Sequence, residues 1–316
     1  MPYDSESPSP ARRRLRGNLV IATAALVPTC LAGWLVWQAM GGSGGQDDKP
    51  PRVLPLPSAS VAVPPSGNAK LPTVTVTATP SPSASPRPAR PTGPLAGRVV
   101  VIDPGHNPGN FEHPTEINRQ VDIGTNKKEC DTTGTATRDG YTEAAFTLDV
   151  AHRLRALLEK QGATVSYTQD GERAFGPCVD ERARIGNTAK ADAVVSVHAD
   201  GAPEGDRGFH VILPALVKAG KADTAAIVGP SRELGVRIAG KFVAATGMAA
   251  SNYVGDGTGL DVRRDLGGLN LSTVPKVFVE CGNMQDSRDA GLLTSARWRQ
   301  KAAQGLADGI GSFLLK

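Results

Sequence analysis

Glu143 to Tyr167 reads EAAFTLDVAHRLRALLEKQGATVSY. Phe146, Val150, Leu154 and Leu157 recur at the three-to-four spacing of one helix face, and Gly162 stands where a helix takes a glycine C-cap. Directly beyond it, Ala163–Tyr167 (ATVSY) has the β-branched content of a short strand. A helix feeding straight into a strand is half of a βαβ unit, and the rest of the chain repeats the theme. Arg98–Ile102 (RVVVI), Ala193–Val197 (AVVSV), Phe209–Leu213 (FHVIL) and Lys276–Val279 (KVFV) read as strands. Val179–Lys190, Ser231–Thr246 and Ser295–Leu315 read as further helices. The expectation is a single α/β domain with a mostly parallel central sheet and helices on both faces. Residues 107–141 are too irregular to place.

Composition locates this domain within the chain of 316 residues. Residues 50–94 hold 13 of the 25 prolines, with Ser, Thr and Ala filling most of the gaps, and cannot bury enough apolar surface to fold. Before them, Leu19–Met40 (LVIATAALVPTCLAGWLVWQAM) is an uncharged run of 22 residues preceded by Arg12, Arg13, Arg14 and Arg16. At 1.5 Å per residue it reaches about 33 Å, enough to span a bilayer core. The basic flank keeps the N-terminus in the cytoplasm and sends the rest outward. The expected layout is a basic tail (1–18), a transmembrane signal anchor or a cleaved signal peptide (19–40), a disordered Pro/Ser/Thr-rich linker (41–94) and a folded domain (95–316). The chain is expected at the cell surface, anchored in the membrane, or secreted if the signal is cleaved.

Charge narrows the partners. Nine of the 35 Lys and Arg and four of the 31 Asp and Glu precede Leu95, so the first part carries +5 and the remainder −1. A nearly neutral domain argues against nucleic acid as its ligand. Export also bears on the cysteines: Cys30 sits in the apolar run and Cys281 in a strand pattern, which leaves Cys130 and Cys178 in loops, where an oxidising compartment favours their pairing.

In sheets of this kind, sites form where loops leave the carboxyl ends of the strands. Three strand ends here carry metal and proton chemistry. RVVVI is followed by Asp103-Pro104-Gly105-His106, AVVSV by His198-Ala199-Asp200, and KVFV by Glu280-Cys281-Gly282-Asn283. A hydrolytic zinc site needs three ligands, a fourth position for water and a carboxylate base. His106 and His198 are candidate ligands, Glu143 at the start of the long helix a third, and Glu280 the base. Spacing alone leaves this open, because no local zinc motif is present.

Five ordered blocks resemble the zinc-dependent N-acetylmuramoyl-L-alanine amidases of the Amidase_3 type: VVIDPGHNPG (Val100–Gly109), TEAAFTLDVAHRLRALLEKQG (Thr142–Gly162), DERARIGNTAKADAVVSVHAD (Asp180–Asp200), GFHV (Gly208–Val211) and VPKVFVECGNMQD (Val274–Asp286). The resemblance implies one zinc ion on His106, Glu143 and His198, Glu280 as the catalytic carboxylate, and a disulfide between Cys130 and Cys178. It implies hydrolysis of the amide between N-acetylmuramic acid and L-alanine in peptidoglycan. Two positions depart from the family pattern, Asp200 in place of Asn and Cys281-Gly282 in place of Gly-Phe, and both bear on substrate preference more than on catalysis. The same zinc and base would also suit a carboxypeptidase or endopeptidase acting on the stem peptide, while a catalytically silent wall-binding protein would have no need of them. His210 is expected to be structural, His152 to lie on a solvated stripe, His113 to have no role, and Cys281 to be a buried free thiol. A monomer without a separate wall-binding domain is expected.

Overall fold

The structure, a computed structural model, describes residues 92–316. The expected tail, apolar run and all but the end of the linker lie outside the described residues. Among the described residues, no helix is long and apolar enough to cross a membrane.

Six strands make the central sheet: β1 (Val99–Pro104), β4 (Thr164–Tyr167), β5 (Ala193–Asp200), β6 (His210–Pro214), β9 (Leu260–Arg263) and β10 (Lys276–Asn283), in the order β4-β1-β5-β10-β6-β9. The first four of that order run parallel. β6 is antiparallel to β10, and β9 is parallel to β6. Only residues 201–209 separate β5 from β6. A parallel crossover takes a dozen or more residues, so a link this short reverses the chain.

Alternation along the strands sends side chains to two covered faces. Val100, Ile102, Val195, Val197, Val211 and Val279 share one core with Phe146, Val150 and Leu154 of α2 (Glu143–Lys160), Leu234 and Ile238 of α4 (Val228–Thr246), and Leu306 and Ile310 of α7 (Ala296–Leu314). On the opposite face, Val101 and Val194 pack against Ile185 of α3 (Val179–Thr188). The helix expected from Glu143 begins there because the Thr142 hydroxyl caps it, accepting from the Ala145 N–H at 3.3 Å. Its last residue is Lys160, and Gly162, just past the capping Gln161, has φ of +92°, the left-handed conformation that glycine commonly supplies after a helix.

The unplaced stretch of residues 107–141 folds as irregular loops around a one-turn helix α1 (Pro114–Ile117) and a hairpin of β2 (Gln120–Asp122) and β3 (Lys127–Glu129). It is held less by secondary structure than by side chains and by the disulfide that joins Cys130 to Cys178.

Candidate active site

The candidate residues meet at one edge of the sheet. His198 on β5 lies directly beside Glu280 on β10, and Glu280 directly opposite His210 on β6. In register on adjacent strands, the three leave the same face of the sheet as a row. Here β5 runs on to Asp200, past its expected end at Val197, because β10 continues alongside it. A bulge between Glu280 and Asn283 then ends the regular pairing, a common device beside active sites. Two other elements close in from the β1 side. The turn after β1 presents His106, and the first residue of α2 presents Glu143, whose carboxylate sits at the positive end of the helix dipole.

One ligand atom from each of His106, Glu143 and His198 lies within 4.8 Å of the others. Glu143 Oε1 is 3.1 Å from His106 Nε2 and 2.9 Å from His198 Nδ1, and it accepts from the Ala199 N–H at 3.2 Å. The other oxygen, Oε2, accepts from the Thr135 N–H at 3.0 Å. At the back of the His106 ring, Nδ1 lies 3.0 Å from the Thr132 carbonyl. Donation to that carbonyl places the proton on Nδ1 and leaves Nε2 with its lone pair toward Glu143. Burial opposes protonation of His106, but the Glu143 carboxylate outweighs it and raises the pKa. Glu143 moves the other way: burial would raise it, and the two imidazoles hold it well below the ordinary carboxylate range.

Glu280 is a different kind of carboxylate. Oε2 is buried with no hydrogen-bond partner among the described residues. Burial first, then the charges of Glu143 and Asp200, push its pKa well above the usual value. A cavity of about 230 Å³ is lined by His106, Glu143, His198, Phe278, Glu280 and Arg263, so all four candidate residues face one space. Asp200 lines it too, and the Tyr253 hydroxyl donates to Asp200 at 2.7 Å.

The remaining expectations have definite places. His210 is buried, edge-on to Tyr253, with its Nδ1 unpartnered. His152 is half-exposed and paired with Asp170 on the surface. Cys281 is a buried free thiol, its pKa pushed up by burial. Sequence reasoning missed the groups behind the candidate ligands: Thr132 and Thr135 in the unplaced segment, and a buried cluster in which Asp103 accepts from Thr168, Arg182, Ser196 and Lys276. Asp103 stands three residues before His106 in a block that was read only for its histidine.

The arrangement can hold a metal beside a proton acceptor, and the domain that carries it is similar to known proteins in sequence and fold. Residues 100–312 match the Amidase_3 family, N-acetylmuramoyl-L-alanine amidase. The chain is 42% identical over 221 residues to N-acetylmuramoyl-L-alanine amidase Rv3717 of Mycobacterium tuberculosis, a match covering 70% of this chain and 88% of that protein. Among solved structures, the amidase Ami1 of Mycobacterium smegmatis superposes with a TM-score of 0.64 at 41% identity, covering 70% of this chain and 98% of that one. Ami1 of Mycobacterium abscessus gives a TM-score of 0.63 at 41% identity, covering 70% and 100%. Both strand-end histidines, Glu143 and Glu280 fall inside the matched region, and the chain belongs to the N-acetylmuramoyl-L-alanine amidase family, whose members are hydrolytic enzymes.

Proposed function

We propose that the protein is a zinc-dependent peptidoglycan hydrolase that cuts the amide joining the lactyl group of N-acetylmuramic acid to L-alanine. The observation that carries this is the convergence of His106, Glu143 and His198 within 4.8 Å beside Glu280, one of whose carboxylate oxygens is buried. Two imidazoles and one carboxylate are a donor set of catalytic zinc. Donors at zinc bond lengths of about 2.0–2.1 Å in a tetrahedron stand about 3.3 Å apart. The 2.9 and 3.1 Å separations from Glu143 Oε1 to the two rings are close to that, so the residues fit the ion.

When bound, zinc supplies Lewis acidity, polarising the scissile carbonyl and making the attacking water more acidic. The chain's own groups do the rest. His106 and His198 would each offer a ring nitrogen to the ion, the first held in its tautomer by the Thr132 carbonyl. Glu143 is pinned through Oε2 by the Thr135 N–H, which keeps Oε1 turned to the rings. Glu280 accepts the proton of the attacking water at a carboxylate oxygen and passes it to the nitrogen of the departing L-alanine. Its Oε2 is buried and makes no hydrogen bond among the described residues, so no neighbour competes for that carboxylate.

On this reading the domain works outside the cell, held near the membrane by the apolar run Leu19–Met40 and spaced from it by the Pro-rich linker, as a monomer. Digestion of defined muropeptides by the full-length chain tests the chemistry: products with a free lactyl end support it. Products that keep L-alanine on the sugar refute it in favour of a stem-peptide peptidase. Glu280→Gln separates base from ligand. It is expected to keep its zinc and lose about 10²- to 10⁴-fold in activity. Loss of zinc with activity would instead move Glu280 among the ligands.

A further inference from the structure

We propose that Arg182 is a positioning residue that, together with Gln169, holds the turn of His106 so that its ring is aimed at the metal; this rests on reading His106, Glu143 and His198 as the ligands. The starting observation is a strained backbone. His106 has φ of +60°, the left-handed region that a residue with a β-carbon enters at a cost. Something must hold it there, and its carbonyl accepts from two side chains at once, Arg182 Nη2 at 2.9 Å and Gln169 Nε2 at 2.9 Å. The same pair clamps the Pro104 carbonyl two residues earlier, at 2.6 and 3.3 Å.

The guanidinium also reaches the back of the ring. Arg182 Nη2 donates to Asp131 Oδ2 at 2.9 Å, and Asp131 Oδ1 is 3.8 Å from His106 Nδ1. Asn110 ties Asp131 to the Thr132 carbonyl that accepts from the ring, donating to both. Arg182 therefore supports His106 from two sides, directly through its backbone carbonyl and, by way of Asp131 and Asn110, behind the Thr132 carbonyl that sets its tautomer. Its other donors go to Asp103 at 2.9 Å and the Pro177 carbonyl at 2.9 Å. All five guanidinium N–H groups are then used, and none is left for substrate. A lysine carries the charge without the fork and has three donors, so it cannot satisfy three carbonyls and two carboxylates.

The test compares the full-length wild type with Arg182→Lys and Gln169→Leu. Zinc affinity is measured by chelator competition, the absorption spectrum of the cobalt(II)-substituted protein is recorded, and folding is followed by circular dichroism. Each folded variant is expected to bind zinc about 10- to 100-fold more weakly, the usual effect of losing support behind a ligand, with a shifted cobalt spectrum. A merely structural role would move neither in a folded protein. Wild-type zinc affinity and cobalt spectrum in folded Arg182→Lys overturn the proposal. Should that variant not fold, Gln169→Leu decides, since it frees the same carbonyl without disturbing a charge; if neither folds, the pair is structural and the proposal falls. Failure of the wild type to bind zinc, or wild-type zinc affinity in His198→Ala, would instead refute the ligand assignment.

Discussion

Gly105→Ala, one methyl group added outside the proposed ligand set, should damage the metal centre more than the fold. A β-carbon on Gly105 would stand 2.3 Å from His198 Cε1, 2.5 Å from Nδ1 and 2.6 Å from Nε2, inside the ring's van der Waals envelope. Restoring an ordinary contact of 3.4 Å requires a retreat of about 1.1 Å, the difference between 3.4 and 2.3 Å. Gly105 cannot supply it, because its N–H is bonded to the Val197 carbonyl at 2.9 Å and its own carbonyl accepts from the Thr147 hydroxyl at 2.8 Å. The ring is equally confined, stacked on Phe278 with centroids 5.2 Å apart. Metal–ligand distances tolerate only about 0.2 Å, so a displaced His198 ceases to be a good ligand. The overpacking itself costs about 1–3 kcal/mol, which a domain of this size should survive as a folded protein. Activity should fall by about 10²-fold or more, as expected for an ångström of misplacement at a reacting centre. Metal analysis and a thermal melt on the same preparation check this. A folded Gly105→Ala protein with full zinc and full activity would show that His198 does not sit where the structure has it.

Two further outcomes concern groups behind the site. Replacing Cys130 and Cys178 by Ser opens a closed loop with a sequence separation of 48 and should destabilise the domain by about 4 kcal/mol on the chain-entropy model; denaturant unfolding measures it, and free thiols at both positions in protein recovered from the cell surface would contradict the bond. Asp103 bears on pH: burial would raise its carboxyl, but Lys276 and Arg182 prevail and hold it far below the ordinary 3.8. A depressed folded pKa means that this stabilisation is complete above 3.8 and is lost as pH falls beneath it, by about 1.4 kcal/mol per pH unit. Asp103→Asn should flatten that acid slope while costing about 3–5 kcal/mol near neutrality, because it leaves two buried cations underpaired. An unchanged acid slope in the variant would remove Asp103 as its source.

The parts legible in the sequence are those with a period. Apolar alternation and helical spacing located β1, β4, β5, β6, β10 and the long helices, and the strand-end rule pointed to His106, His198 and Glu280. The length of the β5–β6 link already implied a reversal that a mostly parallel reading passes over. β9 was missed because its four residues, LDVR, lie at the edge of the sheet and none is fully buried, so they carry no apolar run. Residues 107–141 were opaque for another reason. Their order comes from contacts between distant residues, such as Asn110 with Asp131, Thr132 and Gly176, and single-chain periodicity carries no trace of these. The buried cluster of Asp103, Arg182 and Lys276 was hidden because charged residues are assumed to face solvent unless a partner is known.

These differences divide the site into two halves of unequal robustness. His198, Glu280 and His210 stand on strands paired on both sides, where the register that orders the core also sets their spacing. Moving the backbone of one of them means breaking the sheet. His106 stands on a left-handed turn and Glu143 on the first turn of a helix, and both are steadied by a segment with little regular structure: Thr132 behind one, Thr135 behind the other. That segment is itself tied down by the disulfide at Cys130, adjacent to Asp131, and by the Arg182 fork. Changes on the sheet side should therefore act on stability and metal together, whereas changes at Arg182, Gln169 or the disulfide should weaken metal binding in a domain that still folds. A chain reduced at Cys130 and Cys178 but still cooperatively folded should bind zinc more weakly than the oxidised form, and equal affinity in the two forms would show that the loop side is as firmly built as the sheet.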